Sequence, residues 1–138
     1  AVPAEADIIL VHDAAHPLAS RALLRRVAAA VADGVAGAAP VLPATEAMVQ
    51  FHDGEPSHPL PKTDVGLVQT PQAFRADVLR AAHEQAPNAV EEISLLLSLG
   101  YPVTAVAGDP LNLHVTSPRD LELAERLLGL AEGEDPTD

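Results

Sequence analysis

The chain has no cysteine and no tryptophan, and aromatic residues make up only 2% of it. Without cysteine, disulfides, thiolate metal sites and cysteine nucleophiles are all excluded. With so few rings, the core must be built from Leu, Val, Ile and Ala, packed as thin layers between helices and a sheet. Cations are also scarce: 8 Lys and Arg stand against 20 Asp and Glu, for a formal net charge of -12. That balance rules out the basic stripe that nucleic-acid binding needs and any general attraction to anionic lipid, so neither is expected as a partner. A free nucleotide masked by magnesium stays acceptable. No apolar run approaches the ~20 residues of a membrane span. No charged-then-apolar leader precedes Asp7, and a cytoplasmic location is expected. The first residue is Ala rather than Met, as expected of a fragment.

What is present fits one domain, since 138 residues can bury most of their apolar surface without a second core. The domain is expected to occupy residues 1–130. Residues 131–138 form an acidic tail with no apolar anchor, expected to be a frayed, solvated end.

Ile8-Ile9-Leu10-Val11 is short, apolar and unalternating, which predicts a strand covered on both faces. Ser20 caps a predicted helix from Arg21 to Asp33, with Leu23, Leu24, Val27 and Val31 on one face, and Gly34 ends it. Val35 to Val41 reads as a buried strand. Strand, helix and strand in this span match a right-handed parallel crossover, so the fold class is α/β. From about Pro43 to Gly66, prolines and the turn signal His52-Asp53-Gly54 predict a hairpin arm, with Ala47 to Phe51 as one strand. Met48, Val49 and Phe51 suit that arm to a partner surface. Leu67 to Thr70 is predicted as a strand, Pro71 to Gln85 and Glu91 to Leu99 as helices, and Val103 to Ala107 as a strand. A last helix begins at Ser117 and Pro118, with Leu121, Ala124, Leu127 and Leu128 facing inward.

Three strings carry chemistry. Val11-His12-Asp13-Ala14-Ala15-His16-Pro17 puts an acid where a strand runs out into a loop, the place where open α/β sheets keep their ligands. A carboxylate there can hold a metal or a sugar hydroxyl, although Asp is also an ordinary turn residue. His12 and His16 stand four apart around the acid. A helical zinc motif would require Glu beside the first His and a helical backbone, whereas here a strand ends at His12 and Pro17 follows His16. Gln69-Thr70-Pro71-Gln72-Ala73-Phe74 offers a hydroxyl and two amides to a polar ligand, or routine capping. In Gly108 to Pro118, Thr116 and Ser117 cap a helix, while the same geometry can aim His114 at an anion.

In their order and spacing these strings resemble the 2-C-methyl-D-erythritol 4-phosphate cytidylyltransferase family, and the related ribitol-5-phosphate cytidylyltransferases look similar. The resemblance runs from about Asp7 to Leu128. It implies a Rossmann-like nucleotidyltransferase fold, a three-layer sandwich with a β-arm at about residues 43–66. It also implies transfer of CMP from CTP to 2-C-methyl-D-erythritol 4-phosphate with release of pyrophosphate, magnesium as cofactor, and a homodimer formed through the arm. The family's Gly-rich nucleotide-binding loop, which carries Arg and Lys, precedes the first matching strand and is not within these 138 residues.

Carried over by position, the resemblance makes Lys62 and His114 catalytic, Asp13 and His16 cofactor-binding with Asp13 the metal ligand, and Thr70 and Ala47 substrate-binding. Asp13 and Thr70 match the family pattern, and Glu91 and Glu92 fall on its acidic pair. His16 stands for an Arg, His114 for a Lys, Lys62 for an Arg, Ala47 for a Thr and Val90 for a Thr. Each Arg or Lys replaced by His exchanges a permanent cation for one mostly neutral near pH 7. Two other expectations follow from these exchanges: a non-catalytic, dimerising binding module, or transfer to another sugar-alcohol phosphate.

Overall fold

Strand β1, Ile8–Val11, opens the fold in the computed structural model, which describes residues 2–133. Ser20 then caps helix α1, Arg21–Ala32, its hydroxyl accepting the Leu23 N–H at 3.1 Å. Leu23, Val27 and Val31 are buried on the predicted face of α1. Strand β2, Gly37–Pro43, starts two residues later than the sequence pattern suggests. Strands β3, Met48–His52, and β4, Glu55–Leu60, pair antiparallel as a separate two-stranded sheet. Asp53 and Gly54 turn between them, both at positive φ, which Gly accepts freely and Asp tolerates. This is the expected arm, and Met48, Val49 and Phe51 are exposed on it.

Next come strands β5, Gly66–Val68, and β6, Gln72–Arg75, followed by helices α2, Ala76–Gln85, and α3, Glu92–Ser98. Strand β7, Val103–Ala107, and helix α4, Pro118–Gly133, complete the chain's order. Here the structure corrects the sequence reading: Pro71 to Gln85 is not one helix, because Gln72–Arg75 is a central strand. Four residues are too few to show a period, and the strand exists because it has neighbours on both sides, β1 and β2, each antiparallel to it. Strands β1 and β2 therefore run parallel with β6 between them, and β7 pairs parallel with β2.

Successive residues along these strands point to opposite faces. Ala38 and Ala73 join Val27 and Val31 of α1, while Ala39 and Phe74 join Leu79 of α2 and Ile93 and Leu96 of α3. The result is helix, mixed sheet, helix: the three layers expected of this α/β fold. Gly37 has no side chain because a Cβ would come within 2.9 Å of the Phe74 ring.

Three further expectations change. Among the described residues strand β1 has one strand neighbour, β6, and Leu10 on it is exposed, where the unalternating sequence predicted cover on both faces. Leu121 and Leu128 of α4 are exposed, whereas Ala124 is buried. The helix α4 also takes in the first residues of the expected tail, and 134–138 lie outside the described residues.

Candidate functional site

The carboxyl ends of β1, β2 and β7 lie at one end of the sheet, and the three chemistry-bearing strings meet there. Strands β5 and β6 follow one another along the same edge of β2, but the register slips by two residues between them. The slip falls after Gln69, whose N–H still donates to the Pro40 carbonyl of β2 at 2.8 Å, and bulges Thr70 and Pro71, which are joined by a cis peptide. Thr70 is thereby presented to the loop that follows β1.

Its hydroxyl is a junction. Thr70 Oγ1 accepts the Asp13 N–H at 3.1 Å and lies 3.1 Å from His12 Nδ1 and 3.2 Å from His16 Nδ1. With one proton to give, it donates to one imidazole and accepts from the other, which ties the two tautomers together. The loop is a tight turn: the His16 N–H donates to the Asp13 carbonyl, and Asp13 Oδ1 accepts the Ala15 N–H at 2.8 Å. Asp13 Oδ2 is left to face His114 Nε2 at 3.8 Å.

His114 arrives from the segment after β7, and buried amides place it. Gln69 donates through Nε2 to the carbonyls of Asp109 and Asn112 and accepts the Asp109 N–H on Oε1, each at 2.9 Å. Asn112 Nδ2 donates to the Thr70 carbonyl at 2.8 Å. Gly108 fits against this lock because a Cβ would meet Gln69 Oε1 at 2.7 Å. Finally the Val115 N–H donates to the Ala15 carbonyl at 2.7 Å, joining the His114 segment to the Asp13 loop. Gln69 and Gln72, the two amides expected to meet a ligand, are both buried; Gln69 serves the scaffold instead, while Gln72 Oε1 is buried without a hydrogen-bond partner. The positioning roles of Gln69 and Asn112 were missed in the sequence, where their only signal was a polar side chain next to a strand end.

His16 and His114 stack with centroids 4.6 Å apart and ring planes 3° apart. His16 is 6% exposed, whereas the side chains of Asp13 and His114 are each 53% exposed. Burial, then the neighbouring His114 and finally His12 hold His16 below the usual histidine value, against an upward pull from Asp13. One ligand atom from each of Asp13, His16 and His114 lies within 4.8 Å of the others. A cavity of about 240 Å³ adjoins the cluster, lined by His16, Val68, Gln69, Asn112 and His114. A wider cleft of about 700 Å³ lies at the other end of β1, around Asp7, Arg75 and Asp77, remote from these groups.

Asp13, His16, Thr70 and His114 are thus brought together. Ala47 and Lys62 are not. Both belong to the arm region, where Lys62 Nζ donates to the Thr45 carbonyl. Thr116 and Ser117 form a capping box with Asp120, whose carboxylate accepts both backbone N–H groups and both hydroxyls. These hydrogen bonds, chiefly that from the Ser117 hydroxyl, hold the Asp120 carboxyl below its usual value. Capping and the presentation of His114 therefore coexist. Glu91 accepts the Ser94 hydroxyl at the start of α3, and Glu92 lines a separate apolar groove beside β1.

Residues 1–130 match the family model described as IspD: 2-C-methyl-D-erythritol 4-phosphate cytidylyltransferase. A 2-C-methyl-D-erythritol 4-phosphate cytidylyltransferase of Frankia casuarinae is 41% identical, over 100% of this chain and 52% of the relative. A bifunctional enzyme IspD/IspF of Nitratidesulfovibrio vulgaris is 39% identical, over 91% of this chain and 33% of the relative. The crystal structure of the Thermus thermophilus cytidylyltransferase superposes with a TM-score of 0.78 at 38% identity, covering 88% of this chain and 62% of that one. The chain thus spans from a third to under two thirds of the length of these proteins.

Proposed function

Since the chain belongs to the 2-C-methyl-D-erythritol 4-phosphate cytidylyltransferase family, we propose that it forms the acceptor-side portion of an enzyme that transfers CMP from CTP to 2-C-methyl-D-erythritol 4-phosphate. The observation that carries this reading is the convergence of Asp13, His16, Thr70 and His114 from three separate segments at the carboxyl ends of parallel strands. That end of an open α/β sheet is where a nucleotide and its acceptor would meet.

In this reading the chain positions and neutralises, since phosphoryl-group transfer depends on alignment and charge stabilisation more than on covalent steps. His16 and His114 donate ring N–H groups to phosphate oxygens, and Thr70 orients the acceptor phosphate. Asp13 fits magnesium in one respect: its half-exposed carboxylate is a hard oxygen ligand, and magnesium is commonly held by one or two carboxylates together with substrate phosphates. Bound there, magnesium would offset the negative charge of the phosphates. Lys62 and Ala47 reach an acceptor only if the arm crosses to a second copy, so a homodimer is part of the proposal, as is a cytoplasmic home. Among the described residues, no helix is long and apolar enough to cross a membrane.

The test is pyrophosphate release from CTP plus 2-C-methyl-D-erythritol 4-phosphate by the full-length protein that contains this chain. Turnover that falls in Asp13→Asn and Thr70→Val supports the reading. No turnover above background across about pH 6 to 8 sinks it. A second reading, a non-catalytic dimerising module, has its own motive: the side chains of the cluster that can carry positive charge are imidazoles, and Arg26, a permanent cation at this end of the sheet, is bonded to the Ala107 carbonyl. Turnover with a different sugar-alcohol phosphate alone would favour an altered acceptor.

A further inference from the structure

We propose that Asp13, His16 and His114 form a site for a borderline divalent cation of the zinc class, distinct in chemistry from a magnesium site. Two imidazoles and one carboxylate are the donor set that zinc, cobalt and iron prefer, whereas magnesium favours oxygen ligands. The three ligand atoms already lie within 4.8 Å of one another, and they come from two loops that the Val115 N–H to Ala15 carbonyl bond holds together. The cation site takes the same Asp13 carboxylate and imidazoles that the transferase reading gives to magnesium and phosphate, so it is a different occupancy of the cluster, and its test does not depend on that reading.

The surroundings have the features that orient metal ligands. Thr70 Oγ1 lies 3.2 Å from His16 Nδ1, and it can accept from that ring or turn its proton to His12. Ala15 N–H occupies Asp13 Oδ1 and leaves Oδ2 toward His114. Such outer hydrogen bonds set the ring and carboxylate orientations in metal sites. A single cation cannot lie in both planes of the parallel stack, so metal–nitrogen bonds of about 2.0 to 2.1 Å require one ring to tilt. His114, half exposed on its loop, is the ring free to do so, while buried His16 stays in place. Three protein ligands leave a fourth position open on the exposed side for water or a phosphate oxygen. With neutral imidazoles the trio carries one negative charge, and a dication turns it into a positive centre beside the 240 Å³ cavity.

The experiment is a cobalt(II) titration of the untagged, chelator-treated 138-residue chain without nucleotide, followed by ligand-field absorption and calorimetry. The expected result is one cation per chain, with the intense visible bands of four- or five-coordinate cobalt, displaced by zinc and not by excess magnesium. Asp13→Asn and His114→Ala, both at half-exposed positions, should each weaken binding roughly tenfold or more. His58→Ala and His83→Ala should leave it unchanged. Circular dichroism checks that the variants fold, and if His16→Gln does not, the other two decide. Only the weak spectrum of the aqueous ion, or tight binding that persists in both Asp13→Asn and His114→Ala, would overturn the site. Because no substrate is present, this result is independent of whether the protein transfers CMP.

Discussion

The His16 ring, buried, lies parallel to the half-exposed His114 ring at a centroid distance of 4.6 Å, and Asp13 faces His114 from the loop that carries His16. Two imidazoles this close cannot both charge without repulsion, so the stack favours a neutral ring at the buried position.

That neutral ring makes stability depend on pH. The folded His16 titrates below its unfolded value of 6.5, so the unfolded chain takes up the proton first as the solution is acidified. The stabilisation is complete above the unfolded value and is lost as pH falls through the lower folded one. Urea midpoints of the metal-free chain should drop below about pH 6.5, and His16→Gln should flatten that part of the curve. In His114→Ala the His16 ring signals should titrate at higher pH, yet still below the usual value because burial, the larger cause, remains.

Asn112 holds the His114 segment against the bulge at Thr70. Asn112→Ala leaves the Thr70 carbonyl without its buried donor, at a cost of about 1 to 3 kcal/mol by chemical denaturation. The His16–His114 stack should loosen with it, visible as altered ring shifts. A loss under about 0.5 kcal/mol with unchanged shifts would show that the lock does not depend on this side chain.

Phe74 is fully buried and faces the α2 and α3 layer. Phe74→Ala should cost about 3 to 5 kcal/mol, measured by denaturant unfolding. A cost near that of a surface substitution would place β6 outside the core.

The arm is its own two-stranded sheet, with Phe51 60% exposed. Deleting residues 45–64 should leave the thermal unfolding of the main sheet in place and halve the mass seen by light scattering. A monomer both before and after deletion would remove the arm's role in dimerisation.

Much of the element order was legible because its signals are local. Ser20 and the spacing of Leu23, Val27 and Val31 define α1, and Asp53-Gly54 marks the turn of the arm. Strand β6 was not legible: Gln72–Arg75 has no period of its own, and its state was settled by the strands on either side. The Leu residues of α4 misled for a related reason, since helical spacing shows which residues share a face and not whether anything covers it.

The site divides the same way. The sequence by itself determined that an acid and a histidine follow β1 and that His114 stands before a capped helix, because strand ends and caps are written in neighbouring residues; it misread the segment after the Thr70 hydroxyl, which is strand β6 and not the start of a helix. Only the tertiary structure decided that these groups meet. The register slip at Thr70 and Pro71, the buried amides of Gln69 and Asn112 and the Val115 to Ala15 hydrogen bond join segments far apart in the chain. The ligand-like trio of Asp13, His16 and His114 is a product of those long-range bonds, which no local pattern encodes.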